Sequence, residues 1–131
     1  MSNSAPSPGG IVGIIPGQAK NISLTLNGSL VVGVKQLSFM VNSACTISAV
    51  YAKVDIAPTG ADLQIDVNKN GTTIFTTQSN RPIITAGGTT DLSGTPDVTG
   101  FAQYDILSID IDQVGSTVAG GSNLYLVFTL T

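Results

Sequence analysis

The stretch LQIDVNKNGTTIF, Leu63 to Phe75, decides how this chain is read. Its inner segment, Asp66 to Gly71, begins as a calcium-binding loop begins, with side-chain oxygens at the first, third and fifth positions and glycine at the sixth. Such a loop ends on a bidentate acid at its twelfth position; here that position is Thr77, and the chain contains no glutamate at all. The flanks favour another reading. Leu63, Ile65 and Val67 alternate before the segment, Ile74 and Phe75 follow it, and Asn70-Gly71 is a strong hairpin signal because both residues tolerate positive φ. The stretch therefore predicts a β-hairpin turn rather than a metal site.

The same alternation extends outward in both directions. Ile22, Leu24 and Leu26 share one face of a run that Asn27-Gly28 is expected to close with a hairpin turn. Leu30 to Val41 is more continuously apolar and reads as a strand covered on both faces. Between Thr46 and Ile56, Val50, Ala52, Val54 and Ile56 fall on one face and Tyr51, Lys53 and Asp55 on the other; Pro58-Thr59-Gly60 then breaks the strand. Toward the C-terminus, Leu107, Ile109 and Ile111 alternate with Ser108, Asp110 and Asp112, and Leu124, Leu126, Phe128 and Leu130 form a second such series. The glycine-rich Gly115 to Asn123 between them reads as a hairpin loop.

Eight or nine short strands, many β-branched residues and fifteen glycines predict an all-β fold, an antiparallel jelly-roll-like β-sandwich. At 131 residues the chain has the length of one domain. It divides into an extended N-terminal arm, residues 1–17, and a sandwich domain, residues 18–131. The arm has no basic start and no apolar run of signal-peptide length, and nothing in the chain approaches the roughly 20 apolar residues of a membrane span.

Composition excludes several functions. The formal net charge is −3 and only 10% of residues are charged, a surface too poor in cations to neutralise many phosphates, so neither nucleic acid nor an anionic membrane is an expected partner. The lone Cys45 cannot form an intrachain disulfide, and its apolar setting suggests a buried, inert thiol. With no histidine and no glutamate, a serine or cysteine nucleophile lacks its usual base, so no catalytic residue and no cofactor are expected. Asp110 and Asp112 lie on one strand face roughly 7 Å apart, and Asp55, Asp62 or Asp66 could approach them, but a solvated strand face accounts for the pair without a metal. Tyr51 and Tyr125 are the aromatic candidates for a sugar platform, and equally for surface or subunit contacts.

The segments APTGADLQIDVNKNGTTIF, residues 57–75, and LSIDIDQVGST, residues 107–117, resemble a β-sandwich module of tailed-bacteriophage structural proteins. The resemblance covers roughly Gly33 to Thr131. Such modules serve as capsid decoration (cement) proteins or as outer domains of tail fibres, so the resemblance implies a virion protein, a homotrimer and no catalytic residues. A chain starting at its own methionine, with no fibre shaft, favours a decoration protein on the outer capsid surface. In that reading the arm supplies an apolar patch, Ile11, Val12, Ile14 and Ile15, that docks on a neighbouring subunit or on the major capsid protein. The alternative is a receptor-binding module that recognises host glycan through the loops Gly87 to Val98 and Gly115 to Asn123.

Overall fold

A computed structural model describes residues 21–116 and 120–131. It holds ten strands and, among these residues, no α-helix: β1 (Asn21–Ser29), β2 (Gly33–Met40), β3 (Cys45–Ile56), β4 (Leu63–Lys69), β5 (Thr72–Thr73), β6 (Ile83–Ile84), β7 (Thr90–Leu92), β8 (Gly100–Phe101), β9 (Ile106–Gln113) and β10 (Ser122–Leu130). A single 3-10 turn, Gln78–Asn80, lies between β5 and β6. The arm residues Ile11, Val12, Ile14 and Ile15 lie outside the described residues.

The strands form two antiparallel sheets that stack as a sandwich. One has the order β1-β10-β3-β7, with β8 also on β3; the other has the order β2-β9-β4-β5, with β6 also on β4. Period-two alternation dictates which side chains meet between them. Ile22 and Leu24 of β1, Val50, Ala52 and Val54 of β3, and Leu124, Leu126 and Phe128 of β10 point inward from the first sheet. Leu63, Ile65 and Val67 of β4 and Leu107, Ile109 and Ile111 of β9 point inward from the second, with Ile74 and Phe75 filling the layer between. Burial of each Val, Leu, Ile or Phe here contributes about 1.5–3 kcal/mol, which makes the paired central strands β10, β3, β4 and β9 the stable heart of the fold.

Asp66 to Gly71 runs from the end of β4 into the expected hairpin turn at Asn70-Gly71. Lys69 pairs with Thr72, and the two residues between them, Asn70 at φ 50° and Gly71 at φ 88°, have the positive φ that a tight two-residue hairpin requires. Elsewhere the local signals misread the connections. Asn27-Gly28 does not end β1; the strand continues to Ser29 through an irregularity after Leu26, with Gly28 at φ 90° and its N–H donating to Asn123 Oδ1 at 2.7 Å. Gly115 to Asn123 is not a hairpin within one sheet, because β9 and β10 belong to opposite sheets and the segment crosses between them. β1 to β2 and β3 to β4 cross in the same way, so the long strands pair with one another only across large separations in sequence.

The largest correction concerns Leu30 to Val41. Only the two ends of this run are buried; β2 is the outermost strand of its sheet, and Val31, Val32 and Val34 are 60%, 61% and 77% exposed. Its apolar continuity thus marks a surface rather than a doubly covered strand. Ile56, expected on the inner face with Val54, is exposed as well, since β3 by that point has reached the end of the sandwich. Cys45 is half-buried rather than enclosed, and its burial pushes the thiol above its ordinary range.

Candidate functional site

The outer face of the second sheet concentrates the polar chemistry. Along β4 and β9 the inward Leu, Ile and Val alternate with outward Gln64, Asp66 and Asn68 and with Ser108, Asp110 and Asp112. Register sets Asp66 directly opposite Asp110, a like-charge pair that disfavours the sheet unless its charges are satisfied. Each is. Asp66 accepts from Thr73 Oγ1 at 2.7 Å and from the Val67 N–H at 2.9 Å; Asp110 accepts from the Lys35 N–H and from Asn68 Nδ2, both at 2.8 Å.

The third carboxylate, Asp112, receives Arg81, whose other guanidinium nitrogen donates to Gln64 Oε1 at 2.7 Å. Burial pushes the Asp112 carboxyl above its ordinary range; the Arg81 charge opposes that rise, and the neighbouring Asp66 and Asp110 add to it. The cation that balances this face is therefore Arg81, delivered by the segment between the 3-10 turn and β6. No group of three or more metal-ligating side chains occurs among the described residues. Of the aspartates expected to approach Asp110 and Asp112, Asp66 lies opposite Asp110 without completing such a group, while Asp62 accepts from the Ala86 N–H and Asp55 lies on the other sheet.

Lys35 shapes the rest of this face. Between Gly33 and Leu37 the register with β9 shifts, so that β2 bulges, and Lys35 sits at φ 51° with its N–H on Asp110. The bulge and the Asn70-Gly71 turn form the walls of a shallow cleft of about 400 Å³, whose floor is Asn68, Ser108 and Asp110. Carboxylate, amide and hydroxyl groups on a concave floor are suited to a polyhydroxylated ligand, which both donates and accepts hydrogen bonds.

All eight aspartates accept hydrogen bonds. Asp97 takes the Thr77 N–H and hydroxyl, Asp105 takes the Ala102 N–H and Asn70 Nδ2, and Asp91 takes the Ile83 N–H. Those donors hold the Asp97 carboxyl, chiefly through the Thr77 N–H, and the Asp105 carboxyl, chiefly through the Ala102 N–H, below their ordinary range. Asp55 accepts from Tyr125 Oη at 2.9 Å and from Asn123 Nδ2 at 3.1 Å. These acids pin loops and strand ends.

The two tyrosines do not share one role. Tyr125 is opposite Lys53, whose ammonium lies 5.9 Å from the ring centroid, whereas Tyr51 is flanked by Val127 on one side and Leu92 on the other. The segment Gly87 to Val98 is not a loop at one end either. Gly87 bonds Pro58 O at one end, β7 runs along β3, and Val98 bonds Ile74 O beyond it. Gly115 to Asn123 does lie at the end that holds Leu30 and Ile56, with residues 117–119 outside the described set.

Three features escaped the sequence reading: Arg81 as counter-ion, the Lys35 bulge, and the exposed valines before it. The aspartates two apart signalled the acidic face, but only the register of β4 on β9 brings in Asp66. No protein-family model matches the chain, and comparison with curated proteins finds no match.

Proposed function

We propose that this protein is a non-enzymatic decoration (cement) protein of a tailed-bacteriophage capsid, a small β-sandwich that binds the outer surface of the head through the major capsid protein and stabilises the shell across capsomer joints. The observation that carries this reading is the exposed valine run at the free edge beside β2, an apolar surface of the kind that assembly covers. The use of every aspartate as a structural acceptor fits a rigid scaffold rather than a reacting centre. Binding only the intact shell stabilises it by mass action, and many weak contacts repeated over a lattice add up through avidity.

Gold-labelled antibody against this chain, applied to purified particles, is expected to decorate heads. The chain lacking residues 1–17 is expected to remain a folded sandwich by circular dichroism and to lose capsid attachment in a sedimentation assay. Label confined to tail tips, or undiminished attachment of the truncated chain, refutes the reading.

A second reading is favoured by one observation, the cleft floored by Asn68, Ser108 and Asp110: a receptor-binding module that holds host glycan. It predicts binders on a glycan array that Asn68→Ala weakens at least tenfold. An array with no signal above background removes it.

A further inference from the structure

We infer, as a deepening of the glycan reading and independently of the capsid one, that the cleft between the Lys35 bulge and the Asn70-Gly71 turn takes one uncharged sugar residue, held by the Ser108 hydroxyl and the Asn68 side-chain carbonyl. Ser108 and Asn68 are 5% and 7% exposed and stand directly opposite each other in the register of β9 on β4. Buried polar groups are ordinarily hydrogen-bonded, and a bond left unmade costs free energy. Among the described residues, however, nothing bonds the Ser108 hydroxyl or Asn68 Oδ1, and both side chains line the floor of the cleft. Two groups so deeply set and without partners at the bottom of a concavity are positioned for a ligand to satisfy.

Asp110 fixes which atoms are offered. Its Oδ1 accepts from the Lys35 N–H and its Oδ2 from Asn68 Nδ2, both at 2.8 Å, so the Asn68 amide is turned with its oxygen as the free end. The floor therefore presents one acceptor, Asn68 Oδ1, beside one hydroxyl that both donates and accepts. Adjacent hydroxyls of a sugar ring match that pair: one donates to Asn68 Oδ1, and its neighbour exchanges a hydrogen bond with Ser108. Val34 and Ile106 supply apolar wall for the C–H face of the ring, and Gly71 leaves the turn side open, with nothing within 4 Å of the place a Cβ would take. At about 400 Å³ the cleft lies at the small end of the roughly 300–1,000 Å³ found for ligand sites, which suits a single sugar residue.

Charge selects within that class. Asp66, Asp110 and Asp112 outnumber Arg81 and Lys35 on this face, and Arg81 is committed to Asp112. An acidic sugar therefore meets net repulsion, although the Lys35 ammonium has no ion-pair partner among the described residues. A bare cation finds no group of three or more ligating side chains among them. What fits is a neutral ring that both donates and accepts.

The test uses the full chain, labelled with nitrogen-15, in nuclear magnetic resonance titrations against millimolar methyl glycosides of neutral hexoses and N-acetylhexosamines and, separately, of uronic acids. At least one neutral glycoside is expected to shift, saturably, the amides of Lys35, Asn68, Gly71, Ser108 and Asp110, and uronic acids are expected to bind more weakly. Ser108→Ala is expected to weaken binding about tenfold or more, while its melting temperature stays at or above that of the unaltered chain, because the hydroxyl it removes has no partner within the fold. No shift in the cleft, uronic acids that bind as well as neutral glycosides, or a Ser108→Ala chain that binds as before would each overturn the proposal. A Ser108→Ala chain that melts lower would show that the hydroxyl serves the fold, and would overturn it as well. Saturable shifts confined to another surface defeat this assignment and leave the glycan reading standing, whereas cleft binding by a chain that gives no signal on the glycan array supports it and removes only the receptor role.

Discussion

Replacing Phe128 with alanine is expected to cost about 3–5 kcal/mol, a large share of the roughly 5–15 kcal/mol that holds a domain of this size together. Phe128 is completely buried on β10, the strand that binds both β1 and β3, and its register partners are Ile22 and Val50. Truncation there removes a ring from between two sheets whose central strands are each held on both sides, so the walls have little freedom to collapse into the space. Urea titration is the measurement, and the midpoint should fall with an unchanged slope. Thr129→Ala, one residue along on the exposed face, is the control and is expected to stay within about 0.5 kcal/mol. Equal losses for the two variants would mean that β10 does not present this face to the core.

Arg81→Met is the second. The Arg81 side chain is 13% exposed and Asp112 36%, a pair between the exposed class, worth at most about 1 kcal/mol, and the buried class, where removing one partner costs about 3–5 kcal/mol. The expected loss at neutral pH is about 1–3 kcal/mol. Its pH dependence identifies the cause. Burial already holds the Asp112 carboxyl above its ordinary range, and without Arg81 it rises further, with Asp66 and Asp110 nearby. An acid whose folded pKa is raised destabilises the native state above that pKa and ceases to do so once protonated. The difference between variant and unaltered chain should therefore narrow as pH falls through the carboxylate range.

Asp97 and Asp105, whose carboxyls are lowered, act in the opposite sense: their stabilisation is present above the ordinary range and lost as pH falls through their folded values. They act equally in both proteins and cancel from the difference. Adding Asp112→Asn to the Arg81→Met background should restore part of the loss at neutral pH. A gap that is the same at pH 4 and pH 7, with no rescue, would show that Arg81 acts through packing alone.

The two effects differ in how far the sequence announces them. Phe128 is legible from alternation, since Leu124, Leu126, Phe128 and Leu130 mark one face of a strand whatever that strand pairs with. Asn70-Gly71 is legible for a similar reason, because its positive φ angles are a property of the two residues and of the short runs they join. Arg81 carries no such signal. It stands outside any strand, and its importance arises only because β6 returns to β4 and because β4 lies on β9 with Asp66 beside Asp110.

The sequence by itself determined the β-sandwich class, the inward faces of β4, β9 and β10 and of β3 as far as Val54, and the tight hairpin at Asn70-Gly71, because each depends on residues within a few positions of one another. Tertiary structure decided the rest. Whether Asn27-Gly28 turns or continues a strand, whether Gly115 to Asn123 closes a hairpin or crosses between sheets, and whether the apolar run from Leu30 is core or surface all depend on which strands become neighbours. Alternation specifies a face but not a partner. In this fold the long strands pair with one another across large separations in sequence, so an apolar run placed beside an edge strand ends up exposed rather than in the core.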